Sequence, residues 1–179
     1  MQQMLTNLRA RREDERGFTL IELMVVVLII AILIAIAIPT FLGAKSRAQD
    51  KAAQSSLRNA LTNAKGIYTD QDSYGATSAA LVTGLTAAEP SLQFTSTAPS
   101  TTAKLVSVNV ISTTGVVMAA LSSSGTCYVI GDSANGPGTV FKNLGTASCD
   151  ASTVTTLPAV GSPPTITNAT AGGGWAQAW

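Results

Sequence analysis

The chain has 179 residues, of which 12% are charged, with a formal net charge of +1 and no histidine. Soluble domains average ~25% charged residues, so this composition, with its apolar residues crowded toward one end, points to a membrane protein carrying one modest domain. The missing imidazole excludes Ser-His and Cys-His catalysis, histidine metal sites and the usual general base near neutral pH.

Residues 1–17 carry Arg9, Arg11, Arg12 and Arg16 with Glu13, Asp14 and Glu15, and an apolar run begins abruptly at Phe18. This reads as a leader peptide, a targeting segment outside the fold. Residues 18–38 contain a single charge, Glu22. As a helix they span roughly 31 Å, matching the ~30 Å hydrocarbon core of a bilayer. The far end of the run has no small-residue stop of the Ala-x-Ala kind, so ordinary signal-peptidase cleavage there is not expected. An ionisable group inside such a helix costs a few kcal/mol (~2.5–3.5 at the bilayer centre) and marks Glu22 as a functional residue.

The helical pattern continues through residues 39–69, where Ala53, Leu57, Ala60, Leu61, Ala64 and Tyr68 form an apolar stripe. Lys51, Arg58 and Lys65 recur every seven residues on another face, read as a solvated surface or as contacts to a neighbouring subunit. Pro39 lies inside the helix and is expected to kink or loosen it, because it lacks an N–H and its ring crowds the preceding turn. A helix from Phe18 to about Tyr68 is roughly 75 Å long, more than a bilayer needs, so it projects into a domain.

Residues 70–150 turn to Ser, Thr, Gly and β-branched types and read as a β-sheet head domain. Strands are expected at 105–111, 116–121 and 126–130, with weaker ones at 92–95 and 139–141, turning at Gly115 and at Ser123-Ser124-Gly125 as an antiparallel meander. Beyond Gly66, two basic residues, Lys104 and Lys142, stand against five acidic ones, Asp70, Asp72, Glu89, Asp132 and Asp150, a balance of −3. That sign gives no counterion-release drive toward nucleic acid, and none is expected as a partner of the head. The run from Asp70 to Gly75 has the glycine of a calcium loop, but Tyr74 and Leu81 occupy ligand positions, which excludes an EF-hand. No metal or cofactor is expected. Residues 151–179 are rich in Thr, Pro, Gly and Ala and read as a largely irregular tail, whose Trp175 and Trp179 are expected to pack.

Gly17-Phe18-Thr19-Leu20-Ile21-Glu22 resembles the processing site of type IV pilins and related pseudopilins. The resemblance implies an α+β fold of the type IV pilin kind, with a long N-terminal helix packed on a small antiparallel sheet. It also implies cleavage between Gly17 and Phe18 by a membrane prepilin peptidase on the cytoplasmic side, with N-methylation of Phe18. The precursor would be a single-pass inner-membrane protein surrounded by lipid, with its leader cytoplasmic. The mature chain would polymerise with itself, driven by pilus assembly machinery, into a cell-surface filament whose properties include adhesion, twitching motility and DNA uptake. In similar pilins the glutamate five residues into the mature chain, here Glu22, pairs with the amine of a neighbour's Phe18 and sets register. Cys127 and Cys149, in an exported domain, are expected to form a disulfide worth ~3 kcal/mol, and in similar pilins such a pair closes a distal surface loop, here containing Asp132 to Gly138. The expected function is thus a structural subunit, not an enzyme. The alternatives are a pseudopilin of type II secretion or DNA uptake, and an uncleaved single-span anchor bearing a binding head.

Overall fold

The computed structural model describes residues 17–158, 166–168 and 173–179; the leader before Gly17 lies outside the described residues. Helix α1 runs from Leu20 to Gln71, 52 residues, and continues helically through Pro39. The chain divides into two compact units at the boundary between Ala44 and Lys45. In the first unit every residue from Phe18 to Leu42 is exposed. Among the described residues one helix, α1, is long and apolar enough to cross a membrane by length and composition.

In the second unit α1 buries Ala53, Gln54, Leu57, Ala60, Leu61 and Ala64. These positions fall on one helical face, as the apolar stripe required, and three alanines among them let the backbone of α1 lie close to the sheet. The helix ends at Asp72, whose φ of 49° lies in the left-handed region, and the chain turns again at Gly75 with φ 101°. A second helix, α2 (Ser78–Ala88), follows and buries Leu81 and Leu85. It was not among the expected elements. Its limits are nonetheless written in the sequence: the Thr77 hydroxyl caps the N–H of Ala80, and Pro90 disfavours helical backbone at Glu89.

Among the described residues the sheet has seven strands: β1 (Gln93–Thr95), β2 (Leu105–Ser112), β3 (Gly115–Leu121), β4 (Cys127–Ser133), β5 (Gly138–Gly145), β6 (Ile166–Asn168) and β7 (Ala176–Ala178), in the order β1-β2-β3-β4-β5-β7-β6. From β2 to β5 it is the expected antiparallel meander. The outer pairs β1-β2 and β6-β7 are parallel, so the sheet is mostly antiparallel. The architecture is the α+β plan anticipated from the sequence, a long apolar N-terminal helix followed by a mostly antiparallel sheet.

Strands β3 and β4 are central and buried on both faces. Val116, Met118, Ala120, Tyr128 and Ile130 meet α1 and α2, while Val117, Ala119, Cys127 and Val129 meet Cys149, Ala151, Val154, Leu157 and Trp175 on the other side. The segment expected to be an irregular tail therefore closes the second face and adds two short strands to the sheet. Gly131 makes this cover possible: a Cβ there would lie 2.4 Å from Leu157 Cδ2 and 2.9 Å from Trp175 Cη2. Leu57 is fully buried at the centre of the helix-side core. Leu57→Ala is expected to cost ~2–5 kcal/mol by leaving a cavity between two rigid elements, measurable as a lower thermal midpoint.

Candidate processing and assembly site

At the start of α1 the sequence folds into a capping box. Thr19 Oγ1 accepts from the Glu22 N–H at 3.2 Å, and Glu22 Oε2 accepts from the Thr19 N–H at 3.2 Å and from the Thr19 hydroxyl at 3.1 Å. Two of the helix's orphan donors are thereby satisfied, and the carboxylate is held at the positive end of the helix dipole. Glu22 Oε1 has no hydrogen-bond partner among the described residues. Reading the sequence for a membrane charge missed this second role of Glu22 and the role of Thr19, although a Thr-x-x-Glu spacing ahead of an apolar run is the signal for it.

Gly17 and Phe18 precede the cap. Phe18 is 85% exposed. A Cβ built on Gly17 meets nothing within 4 Å, and Gly17 does not have a positive φ. Neither packing nor backbone conformation within the described residues therefore requires glycine at this position. Gly17, Phe18, Thr19 and Glu22 line one shallow cleft of about 320 Å³. Past Ile38, Pro39 leaves the Ala35 carbonyl without its usual amide donor. One residue on, the Thr40 hydroxyl donates to the carbonyls of Ala37 at 2.9 Å and Ile36 at 3.3 Å.

In the second unit, Cys127 and Cys149 are joined by a disulfide with their Cα atoms 5.3 Å apart. The bond ties the segment that begins the far-face cover to the first residue of β4. What it encloses is mainly the β4-β5 hairpin, and Asp132, expected in a surface loop, is instead 4% exposed within β4. Its Oδ2 accepts from the Tyr74 hydroxyl at 2.6 Å, while its Oδ1 accepts from the Thr139 hydroxyl at 2.8 Å and pairs with Lys65 Nζ at 2.8 Å. The carboxylate thus joins α1, the turn before α2 and two strands. Asp150 is also committed, its Oδ1 accepting from Ser152 N at 2.9 Å and from the Ser107 hydroxyl at 3.3 Å. No cluster of three or more metal-ligating side chains occurs among the described residues.

The heptad line of cations lies on an exposed face. Lys51, Arg58 and Lys65 are exposed, as a solvated face requires, yet each engages its own chain: Lys51 donates to Gln54 Oε1, Arg58 lies over the Trp179 ring at 5.1 Å, and Lys65 reaches Asp132. They border the buried stripe, and their stems cover its edge. Trp175 and Trp179 pack as expected, their indole N–H groups donating to the carbonyls of Thr156 and Lys142.

Burial, with the acceptor at Asp132 second, pushes the Tyr74 hydroxyl well above the ordinary tyrosine range. A group whose folded pKa is raised stabilises the fold below its unfolded pKa of ~10, and that contribution is lost as pH rises beyond it. Alkaline titration is therefore expected to weaken the head above pH ~10, and Tyr74→Phe to shallow that decline while costing ~1–3 kcal/mol at neutral pH through the lost hydrogen bond to a buried carboxylate. Equilibrium unfolding of both proteins between pH 7 and 11 checks it.

These features are those of a prepilin-like chain with a long apolar N-terminal helix. The family model for the prokaryotic N-terminal methylation motif matches residues 13–38. The match ends one residue before Pro39 and includes Gly17, Phe18, Thr19 and Glu22. No curated protein and no solved structure matches the chain. Motif and fold together indicate a structural protein of the type IV pilin or pseudopilin kind, with an apolar helix consistent with a membrane-anchored precursor. The motif implies processing by a prepilin peptidase and assembly in a pilus-type system.

Proposed function

We propose that the chain is the subunit of a type IV pilus-like surface filament, released from its leader between Gly17 and Phe18, N-methylated at Phe18 and polymerised through residues 18–38. The observation that carries this reading is the exposed apolar surface from Phe18 to Leu42, headed by a single carboxylate whose second oxygen has no partner among the described residues. Apolar surface on that scale is a contact surface. Lipid tails and neighbouring apolar helices solvate it about equally, so transfer from bilayer to helical bundle changes little hydrophobic energy and suits extraction by an energy-driven machine. The amine created at Phe18 of one subunit is the natural partner of Glu22 in the next, and a buried charge without its mate is far costlier than the pair, which fixes register. Pro39 marks where α1 bends or loosens in the assembled state. The head acts as a structural surface without catalytic chemistry.

The freedom of Gly17 from any packing requirement among the described residues supports recognition by a processing enzyme with a narrow cleft. Gly17→Leu is expected to leave the precursor unprocessed in the membrane, with an intact leader by mass. N-terminal sequencing and intact mass of protein sheared from the cell surface test the whole reading. A start at Phe18 carrying one methyl group on material recovered as long filaments supports the pilus. The same mature start confined to the envelope favours the pseudopilin, and an intact leader leaves a single-span anchor.

A further inference from the structure

A cleft of about 350 Å³ lies between α1 and β5, lined by Arg58, Thr62, Lys65, Ile130, Thr139 and Phe141. It falls at the small end of the range for ligand sites. Its two cations differ in state. Lys65 is neutralised by Asp132 and also donates to Thr139 Oγ1 at 2.8 Å. The Arg58 guanidinium lies over two aromatic rings, 5.1 Å from the Trp179 centroid and 5.9 Å from that of Phe141, and among the described residues no carboxylate lies within ion-pairing distance of it. The two rings hold the guanidinium by cation–π contact while no carboxylate among the described residues pairs with its N–H fork, an arrangement that suits bidentate capture of a carboxylate.

The other polar groups narrow the ligand further. The Thr62 hydroxyl donates its proton to the Arg58 carbonyl at 2.9 Å, and the Thr139 hydroxyl donates its own to Asp132. Facing the cleft, Thr62 therefore offers lone pairs and accepts from a ligand O–H. Lys65, with two of its three N–H groups committed, retains one donor. Ile130 and the Phe141 ring supply an apolar floor and wall. Arg58 to Lys65 is two helical turns, roughly 10 Å, the length available to a ligand. One uncompensated positive charge fits a monoanion better than a phosphate dianion.

We propose that this cleft binds a hydroxylated carboxylate, a uronic acid unit of an acidic glycan, with Arg58 holding the carboxylate and Thr62 and Lys65 reading the hydroxyls. The site stands independently of filament assembly, since all of its residues lie in the head. It is tested on the full chain in detergent micelles by ligand-observed saturation-transfer NMR, with sodium D-glucuronate as the probe and D-glucose and sodium acetate as comparators at matched ionic strength. Glucuronate is expected to bind saturably and at least ~10-fold more tightly than either comparator, because only it engages both fork and hydroxyl groups. Arg58→Gln should weaken it at least ~10-fold, and Arg58→Lys, which keeps charge and stack but loses the fork, should weaken it as well. Thr62→Val alters only a hydroxyl bonded to its own helix turn, so it should lower glucuronate affinity with no change in melting. Acetate binding as tightly as glucuronate, or unchanged affinity in Arg58→Gln and Thr62→Val, would overturn the proposal.

Discussion

Glu22→Ala is expected to abolish filaments while leaving leader removal intact. Two roles are lost together in that variant: the cap on Thr19 and the charge offered to a neighbour. Breaking a buried ion pair by removing one partner costs ~3–5 kcal/mol, which at 1.4 kcal/mol per decade weakens each subunit addition more than ~100-fold. Losing a cap costs only ~1 kcal/mol. Glu22→Gln separates the two, because glutamine at the third helical position can still reach back to the Thr19 N–H as glutamate does here at 3.2 Å. Thr19→Val makes the complementary change, removing the hydroxyl that donates to and accepts from Glu22. If charge pairing governs assembly, Glu22→Gln fails nearly as completely as alanine and Thr19→Val loses much less. Filament yield by shearing and electron microscopy, alongside the mass of the membrane-held subunit, decides the matter. Wild-type filament yield in Glu22→Gln would reduce Glu22 to a helix cap.

What could be read in advance followed from strong local chemistry. The bilayer-length run at 18–38, the stripe from Ala53 to Ala64 and the valine-rich β2 and β3 each carry a periodicity or an apolar run that few other structures satisfy. The elements that escaped lack such patterns. Strand β5, expected only over 139–141, extends from Gly138 to Gly145 through Lys142 and Asn143, residues with weak strand preference, because pairing with the buried β4 holds it in place. Helix α2 is short, and its Thr83, Gly84 and Thr86 interrupt the Ala and Leu that would have marked it, while Gly84 at its centre has a reason visible only in three dimensions: a Cβ there would sit 3.0 Å from Ile67 Cδ1. Strands β6 and β7 are three residues each, too short for any period to show. Side-chain partnerships were less legible still. Nothing in the heptad spacing of Lys51, Arg58 and Lys65 says which flank of the stripe they occupy, and Asp132 looks like any aspartate near a Gly-Pro turn until Tyr74, 58 residues earlier, is brought against it.

Removing the disulfide, with Cys127→Ala and Cys149→Ala together, is expected to weaken the head strongly, by ~2–5 kcal/mol and a thermal midpoint lower by roughly 10 °C. The reasoning runs through the far face of the sheet. On the helix side, α1 and α2 cover β3 and β4 with whole turns of buried leucine. On the other side the cover is a short segment, Cys149 to Leu157, with a single 3-10 turn at Ala151–Thr153, together with Trp175. Its carbonyls are met from outside at separate points, Cys149 O by Ser100 N at 2.7 Å, Ala151 O and Val154 O by Asn109 Nδ2 at 3.4 Å each and Thr156 O by the Trp175 indole at 3.1 Å, with no continuous ladder, and its ordering costs ~1–2 kcal/mol per residue in backbone entropy. Besides the sulfur bridge, it is held by Asp150, by the Ser107 hydroxyl accepting from Ala151 N at 3.1 Å, and by the contacts of Val154 and Leu157. With the bridge gone, the cover should open before the helix side does. Limited proteolysis of the reduced or substituted protein is then expected to cut first near residues 149–158, with protection of the Leu57 face persisting to higher denaturant. Simultaneous loss of both faces at an unchanged midpoint would mean that packing of Val154, Leu157 and Trp175 holds the cover without the bridge, and that Gly131, which leaves room for them, matters more than the cysteines.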